Sequence, residues 1–258
     1  MSLTRAGTKK GPLLDYGQTS PWEREMTGPR LRKRFSNAML PWASLLVLLC
    51  LPPPLTAQST ATVGEQSRSL EKSGQLLFER GVLLFRREPA ADKREALSLF
   101  LRAAEDFQAA GAAGKQATAM LLAGFASKSL SEDREALGYF KKALLLFQKA
   151  KHHPGEIDAL THIGVAHYHL GELDEALAQL NQALELSRKL RERRGAANAL
   201  CAIAQVYTAK KELQKAIDVY TEALPMLRAL DDRDAEARAF NNLQVITTEL
   251  RDRQKSKK

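Results

Sequence analysis

Five histidines are the first candidates for chemistry: His152, His153, His162, His167 and His169. A metal site on a helix wants two ligands four residues apart on one face, or nearby cysteines. His162 and His169 are seven apart, about 10 Å along a helix axis, which is too far for one ion without a third element. His152 and His153 precede Pro154-Gly155 in a turn. All five read as surface or groove polar residues. Of the two cysteines, Cys50 lies in an apolar run and Cys201 in a helical stretch, where it reads as a small packing residue. Removal of Cys50 by processing would leave no internal disulfide. No Ser/His/Asp or Cys/His set is marked, and Gly111-Ala112-Ala113-Gly114 reads as a turn rather than a phosphate-binding loop. The expectation is no enzyme, no cofactor, no metal and no small-molecule substrate.

Composition points the same way. The 258 residues are 44% hydrophobic, 27% charged and only 6% aromatic, which favours closely packed helices over a sheet. The net charge of +9 is partly an N-terminal feature. Residues 1–57 hold eight Lys/Arg against three acids, which leaves 31 bases and 27 acids beyond them. Interspersed charges of this kind mark solvated helix faces, so no nucleic-acid partner is expected.

Residues 1–35 lack an apolar period and read as disordered. The basic stretch Leu31-Arg32-Lys33-Arg34, the apolar run 38–51 and the breakers Pro52-Pro53-Pro54 together form a secretory signal. The run is shorter than the roughly 20 residues that a spanning helix needs. Cleavage is expected after Ala57, with Ala61 the second choice, and Met26 is expected as the initiator. The destination is then periplasmic or extracellular. An uncleaved anchor at 40–51 is the alternative, and the only expected membrane contact. Domain boundaries follow: 1–57 basic segment and signal, 58–69 a Ser/Thr/Gln-rich linker, 70–253 a helical array, 252–258 a basic tail.

The array repeats every 40 residues. Ala96, Ala136, Ala176 and Ala216 form one column, and Ala103, Ala143, Ala183 and Ala223 a second. Between them stand Phe100, Phe140, Leu180 and Tyr220; upstream, Leu84, Gly124, Gly164 and Ala204 share a column. Offsets of four and three place each small–large–small triplet on one helix face. Each copy therefore predicts two helices, in the third copy Glu156–Leu170 and Glu172–Arg191, with Gly171 as a left-handed cap between them. The repeats span about 74–113, 114–154, 155–194 and 195–234, followed by a lone helix over 235–251. Pro89 punctuates the first copy. Pro225 is expected to bend the last second helix.

These columns resemble the tetratricopeptide repeat: Leu160, Ile163, Gly164, His167, Ala176, Leu180 and Ala183 in the third copy; Leu200, Ile203, Ala204, Tyr207, Ala216, Tyr220 and Ala223 in the fourth. Copies one and two are looser, with Arg80 and Met120 at the large position and Arg87 and Ser127 at the aromatic one. The 40-residue period is similar to that of kinesin light chains, of G-protein-regulator adaptors and of bacterial chains that join such repeats to a caspase-like peptidase. The stretch Glu222–Arg233 resembles the last group.

The resemblance implies an all-α fold, a right-handed α-solenoid of four helical hairpins plus a C-terminal capping helix. It also implies a protein or peptide ligand held against the first helix of each hairpin. The positions that carry over include Phe78, Phe85, Leu121, Phe125, Lys128, Asp158, Val165, Tyr168, Asn198 and Gln205. Phe85 and Phe125 would make the first half of the groove apolar, and the second half would be polar. Thr161, His162, Val165 and His169 stand where a clamp for C-terminal carboxylates needs Lys and Asn, so that ligand class is not expected. The function implied is an exported, non-enzymatic interaction scaffold. The alternatives are the recognition half of a caspase-like peptidase system or a membrane-tethered assembly factor. Ala183→Leu should overpack the helical seam and cost about 1–3 kcal/mol; unchanged thermal unfolding would contradict the register.

Overall fold

In a computed structural model of the chain, residues 55–87 and 89–256 are described. The chain divides into two units, Met1–Pro52 and Pro53–Lys258. The account below concerns the second. The basic segment, the apolar run 38–51 and the Met26 start lie outside the described residues.

Nine helices follow one another among the described residues: α1 (Leu55–Phe85), α2 (Ala90–Ala109), α3 (Ala113–Ser129), α4 (Asp133–Lys149), α5 (His153–His169), α6 (Leu173–Leu190), α7 (Arg193–Ala209), α8 (Leu213–Ala229) and α9 (Arg233–Lys255). They form four hairpins and a closing helix, an all-α solenoid. The stretch 58–69, expected as a linker, is instead part of α1. Ser67 Oγ donates to the Ala110 carbonyl at 3.0 Å, and Lys115 Nζ pairs with Glu71 at 2.7 Å. Contacts to its hairpin partner and to the next hairpin thus hold this polar helix in place. Residues 252–255 of the expected tail likewise continue α9.

The repeat is finer than 40 residues. A left-handed residue recurs every 20: Gly111, Ser131, Lys151, Gly171, Arg191, Lys211 and Asp231, all with φ between 52° and 79°. At each, the following N–H reaches back five residues, as in Glu132 N to Ser127 O (3.0 Å), His152 N to Phe147 O (2.9 Å) and Glu192 N to Ser187 O (2.8 Å). That bond satisfies a carbonyl the helix end would otherwise strand. Helix and turn together make one 20-residue module, and two modules make a repeat.

Small and large residues set the distance between paired helices. A Cβ added to Gly164 would lie 2.5 Å from Leu180 Cγ, and one on Gly124 would collide with the Phe140 ring. Ala204 and Tyr220 fill the same places in the fourth hairpin, both buried. A second seam joins successive hairpins: Phe147 covers Gly155, and Ser187 faces Gly195.

The first hairpin departs from the expected register. There Phe100 packs on Gly81, not Leu84; a Cβ on Gly81 would stand 2.8 Å from its ring. The partner glycine lies 19 residues ahead of Phe100, against 16 for Gly124–Phe140 and Gly164–Leu180. The extra three residues sit at the start of α2, which has 20 residues where α3, α4 and α5 have 17. Shifted by three, Leu77, Gly81 and Leu84 occupy the large, glycine and aromatic positions, and Arg80 and Arg87 cease to be exceptions.

α8 continues through Pro225 to Ala229. The closing helix α9 buries Ala239 and Ile246 against Leu213, Tyr220 and Leu227. Asn242 Nδ2 donates to the Tyr220 hydroxyl at 3.0 Å, which gives that buried phenol its partner.

Five of the seven left-handed positions carry a side chain, and that conformation costs an L-residue about 1–2 kcal/mol. Arg191→Gly should therefore raise the unfolding free energy from urea titration by a net of about 0.5–1 kcal/mol, after glycine's greater chain entropy, and Gly171→Ala should lower it. Movement in the opposite senses would contradict the 20-residue module.

Candidate functional site

The first helices of the hairpins form the inner row. α5 packs on its hairpin partner α6, on the preceding α4 and directly on α7. Such a helix is enclosed nearly all round: Ile157, Ala159, Leu160, Ile163, Val165 and Ala166 are all buried, as are Ala197, Ala199, Leu200, Ala202 and Ile203 on α7. What reaches solvent is a narrow stripe. On α5 it holds Asp158, His162, Tyr168 and His169; on α7, Asn198, Cys201, Gln205 and Thr208.

The stripe keeps part of the expected groove and rejects part. Asp158, Tyr168, Asn198 and Gln205 lie on it, and Lys128 is partly open on α3. Phe78, Leu121 and Val165 do not reach it, being 3%, 1% and 3% exposed. Phe78 packs against Phe100 and Phe107, with ring centres 5.9 and 6.4 Å away. Leu121 and Val165 belong to the seams around Phe140 and Leu180. The three-residue shift explains part of this, because it moves every α1 position read from the uncorrected register.

Phe85 and Phe125 are not a free apolar pair. Phe85 meets Phe100 edge-on at 6.3 Å, with Lys93 Nζ 5.2 Å above its ring. Phe125 meets Phe140 at 5.4 Å and His162 at 4.4 Å. Both are half-buried aromatic packing.

Three of the histidines are structural, and His153 and His169 are exposed. His152 Nδ1 accepts from Gly155 N at 3.1 Å and caps α5. His167 Nδ1 lies 2.5 Å from Glu172 Oε2 at the start of the second helix. His162 stacks on Phe140 at 5.5 Å, and its Nδ1 is buried without a hydrogen bond. Burial, and secondarily the Lys128 charge, push its pKa down to about 3, so the ring is neutral. Among the described residues no three His, Cys, Asp or Glu are placed to hold a metal ion.

The sequence reading missed a line of capping side chains at the start of the inner helices. His152, Glu192 and Asp232, 40 apart, cap α5, α7 and α9 by accepting from Gly155, Gly195 and Ala235 N. Arg194 Nη1 donates to Asp232 Oδ2 at 3.3 Å. Asp158 faces this line without a hydrogen-bond or ion-pair partner among the described residues. Burial first, then repulsion from Glu192, push its pKa up to about 7, against the pull of Arg194. Burial also pushes the Cys201 thiol up to about 12, so it is no nucleophile at neutral pH. The 40-residue spacing of the caps was the available signal.

A model of the tetratricopeptide repeat matches residues 117–189 and 159–229. Residues 117–229 are tetratricopeptide repeats. The array is also similar in structure to aspartyl phosphate phosphatase F from Bacillus subtilis (TM-score 0.63, 14% identity, 79% of this chain and 53% of that one). It is similar to a signal-transduction ATPase with a tetratricopeptide repeat sensor from Pyrococcus horikoshii (TM-score 0.59, 18% identity, 73% and 29%). A third likeness is to kinesin-light-chain repeats from Podosopora anserina (TM-score 0.50, 15% identity, 74% and 97%). This chain spans about half the length of the phosphatase, and the likenesses concern the fold. No curated protein sequence matches.

In the tetratricopeptide array Asp158 opposes its own solvation. A folded carboxyl at about 7 holds a proton that the unfolded carboxyl, near 4, releases, so stability falls as pH rises through that window. Asp158→Asn should raise Tm by at least about 2 °C at pH 8 and by much less at pH 5. Equal shifts at both pH values would contradict the burial of this carboxyl.

Proposed function

We propose that this chain is a non-catalytic scaffold that binds a peptide of a partner protein along the inner stripe of α3, α5 and α7. One observation carries the reading. The inner helices leave polar side chains part-exposed, Lys128 on α3, Asp158 on α5 and Asn198, Gln205 and Thr208 on α7, beside a buried layer of alanine and leucine. Amide side chains along a groove can pair with the backbone N–H and C=O groups of an extended peptide, whose main chain presents one donor and one acceptor per residue. Phe85 and Phe125 offer apolar edges at the near end. The match to the tetratricopeptide-repeat model and the sensor role named for the ATPase's repeats support this reading.

We also propose export. The support is in the sequence: the basic stretch 31–34, the apolar run 38–51 and the small residue Ala57. Cleavage there would remove only the first three residues of α1. Sequencing the N-terminus of the natural protein should return Gln58. Recovery of residues 40–51 in the membrane fraction would support the tethered alternative instead.

Affinity capture from the native extract with the parent chain and with Asn198→Ala/Gln205→Ala tests the groove. The double variant alters two partly exposed side chains and should fold normally by circular dichroism. It should lose the main partner by about tenfold or more, in keeping with lost hydrogen bonds. Identical partner sets would contradict the reading.

A further inference from the structure

One side chain of the inner row keeps a polar atom that the fold does not use. Among the described residues, His162 Nδ1 is the one buried side-chain nitrogen or oxygen without a hydrogen bond. Such an atom costs stability, and its retention calls for a reason. The array shows that packing alone needs no polar group there: Leu122 and Ala202 stand 40 residues either side of His162 and are 1% and 2% exposed. Two rings hold the imidazole in place. Phe125 of α3 meets it at 4.4 Å and 79°, and Phe140 of α4 stacks on it at 5.5 Å and 29°. His162 is nonetheless part-exposed on the stripe. Its Nε2 makes no hydrogen bond either, yet it is not a buried atom, so this nitrogen is the ring's polar contact with solvent.

The place of the proton follows. Burial keeps the ring neutral, so one nitrogen carries a hydrogen and the other a lone pair. A buried N–H without an acceptor is the rarer defect in folded proteins. Nδ1 therefore keeps the lone pair, and the N–H is at Nε2, on the solvent side of the two phenyl rings.

We infer that His162 holds the bound peptide, with Nε2–H donating to a main-chain carbonyl of the ligand at one fixed position. This rests on the peptide-groove reading above and adds a donor on α5 to the amides of Asn198 and Gln205 on α7. An extended peptide presents a carbonyl at every residue, so the donor requires no particular side chain. The Lys128 charge acts at the imidazole, which favours the oxygen end of a peptide group there over its N–H. A donor locked between two rings loses little freedom on binding.

Panning a randomised dodecapeptide phage library against the full chain supplies the probe, a labelled winner. His162→Leu should weaken its binding about tenfold, in keeping with one lost hydrogen bond, and should not lower Tm, because the orphan nitrogen leaves with the ring. His162→Gln places an amide N–H near the Nε2 position and should bind within about threefold of the parent, whereas His162→Asn places it near Nδ1 and should lose as much as leucine. Esters substituted one at a time for the winner's amides accept more weakly. At one position the ester should weaken binding to the parent and leave binding to His162→Leu unmoved. A loss matched instead by an alanine in the winner would place the acceptor on a side chain and overturn the main-chain assignment. If His162→Leu binds as the parent does, or melts more than about 2 °C lower, while Asn198→Ala/Gln205→Ala loses the winner, the inference is overturned and the groove reading stands. If no peptide is enriched, or none responds to any variant, both are overturned.

Discussion

The whole array depends on one steric condition: paired helices must approach until a large side chain of one touches the backbone of the other. Gly164 under Leu180 and Gly124 under Phe140 meet it by having no Cβ, and Ala204 under Tyr220 meets it with a single methyl. Once that distance is set, helix length and turn geometry must repeat, because a longer helix would shift the next seam. The left-handed residue every 20 positions is the consequence. The first hairpin shows the same condition under an altered length. Three added residues at the head of α2 are absorbed by moving the glycine contact from position 84 to Gly81, and the seam survives.

Close approach also determines what is left for binding. Tight packing on three sides buries the inner helices and confines their solvent contact to a stripe about one residue wide per turn. Polar groups on such a stripe lose water without gaining partners. His162 answers by staying neutral against Phe140. Asp158 answers by holding a proton.

Much of this was legible in the sequence, for physical reasons that can be named. The columns at Ala176, Leu180 and Ala183 report helix-face packing directly, since only sterics acts there. The groove was legible only in part, because exposure depends on all neighbours of a helix and not on its own period. Val165 has the same spacing from Asp158 as Gln205 has from Asn198, yet it is enclosed by Leu160 and Leu180. Five of the seven turn residues are not glycine, so composition concealed the 20-residue module that Gly171 alone suggested. The linker reading at 58–69 failed because a polar stretch was judged in isolation, whereas Ala110 holds Ser67 from outside it and Lys115 holds Glu71 just beyond it.

The measurement that bears most directly on this account is the hydrogen-exchange footprint of the full chain with and without a peptide selected by panning. The account predicts added protection confined to α3, α5 and α7, centred on residues 125–128, 158–169 and 198–208, with α4, α6 and α8 unchanged. Protection that appears on the outer helices, or on the free face of α9 around Phe240, would contradict it.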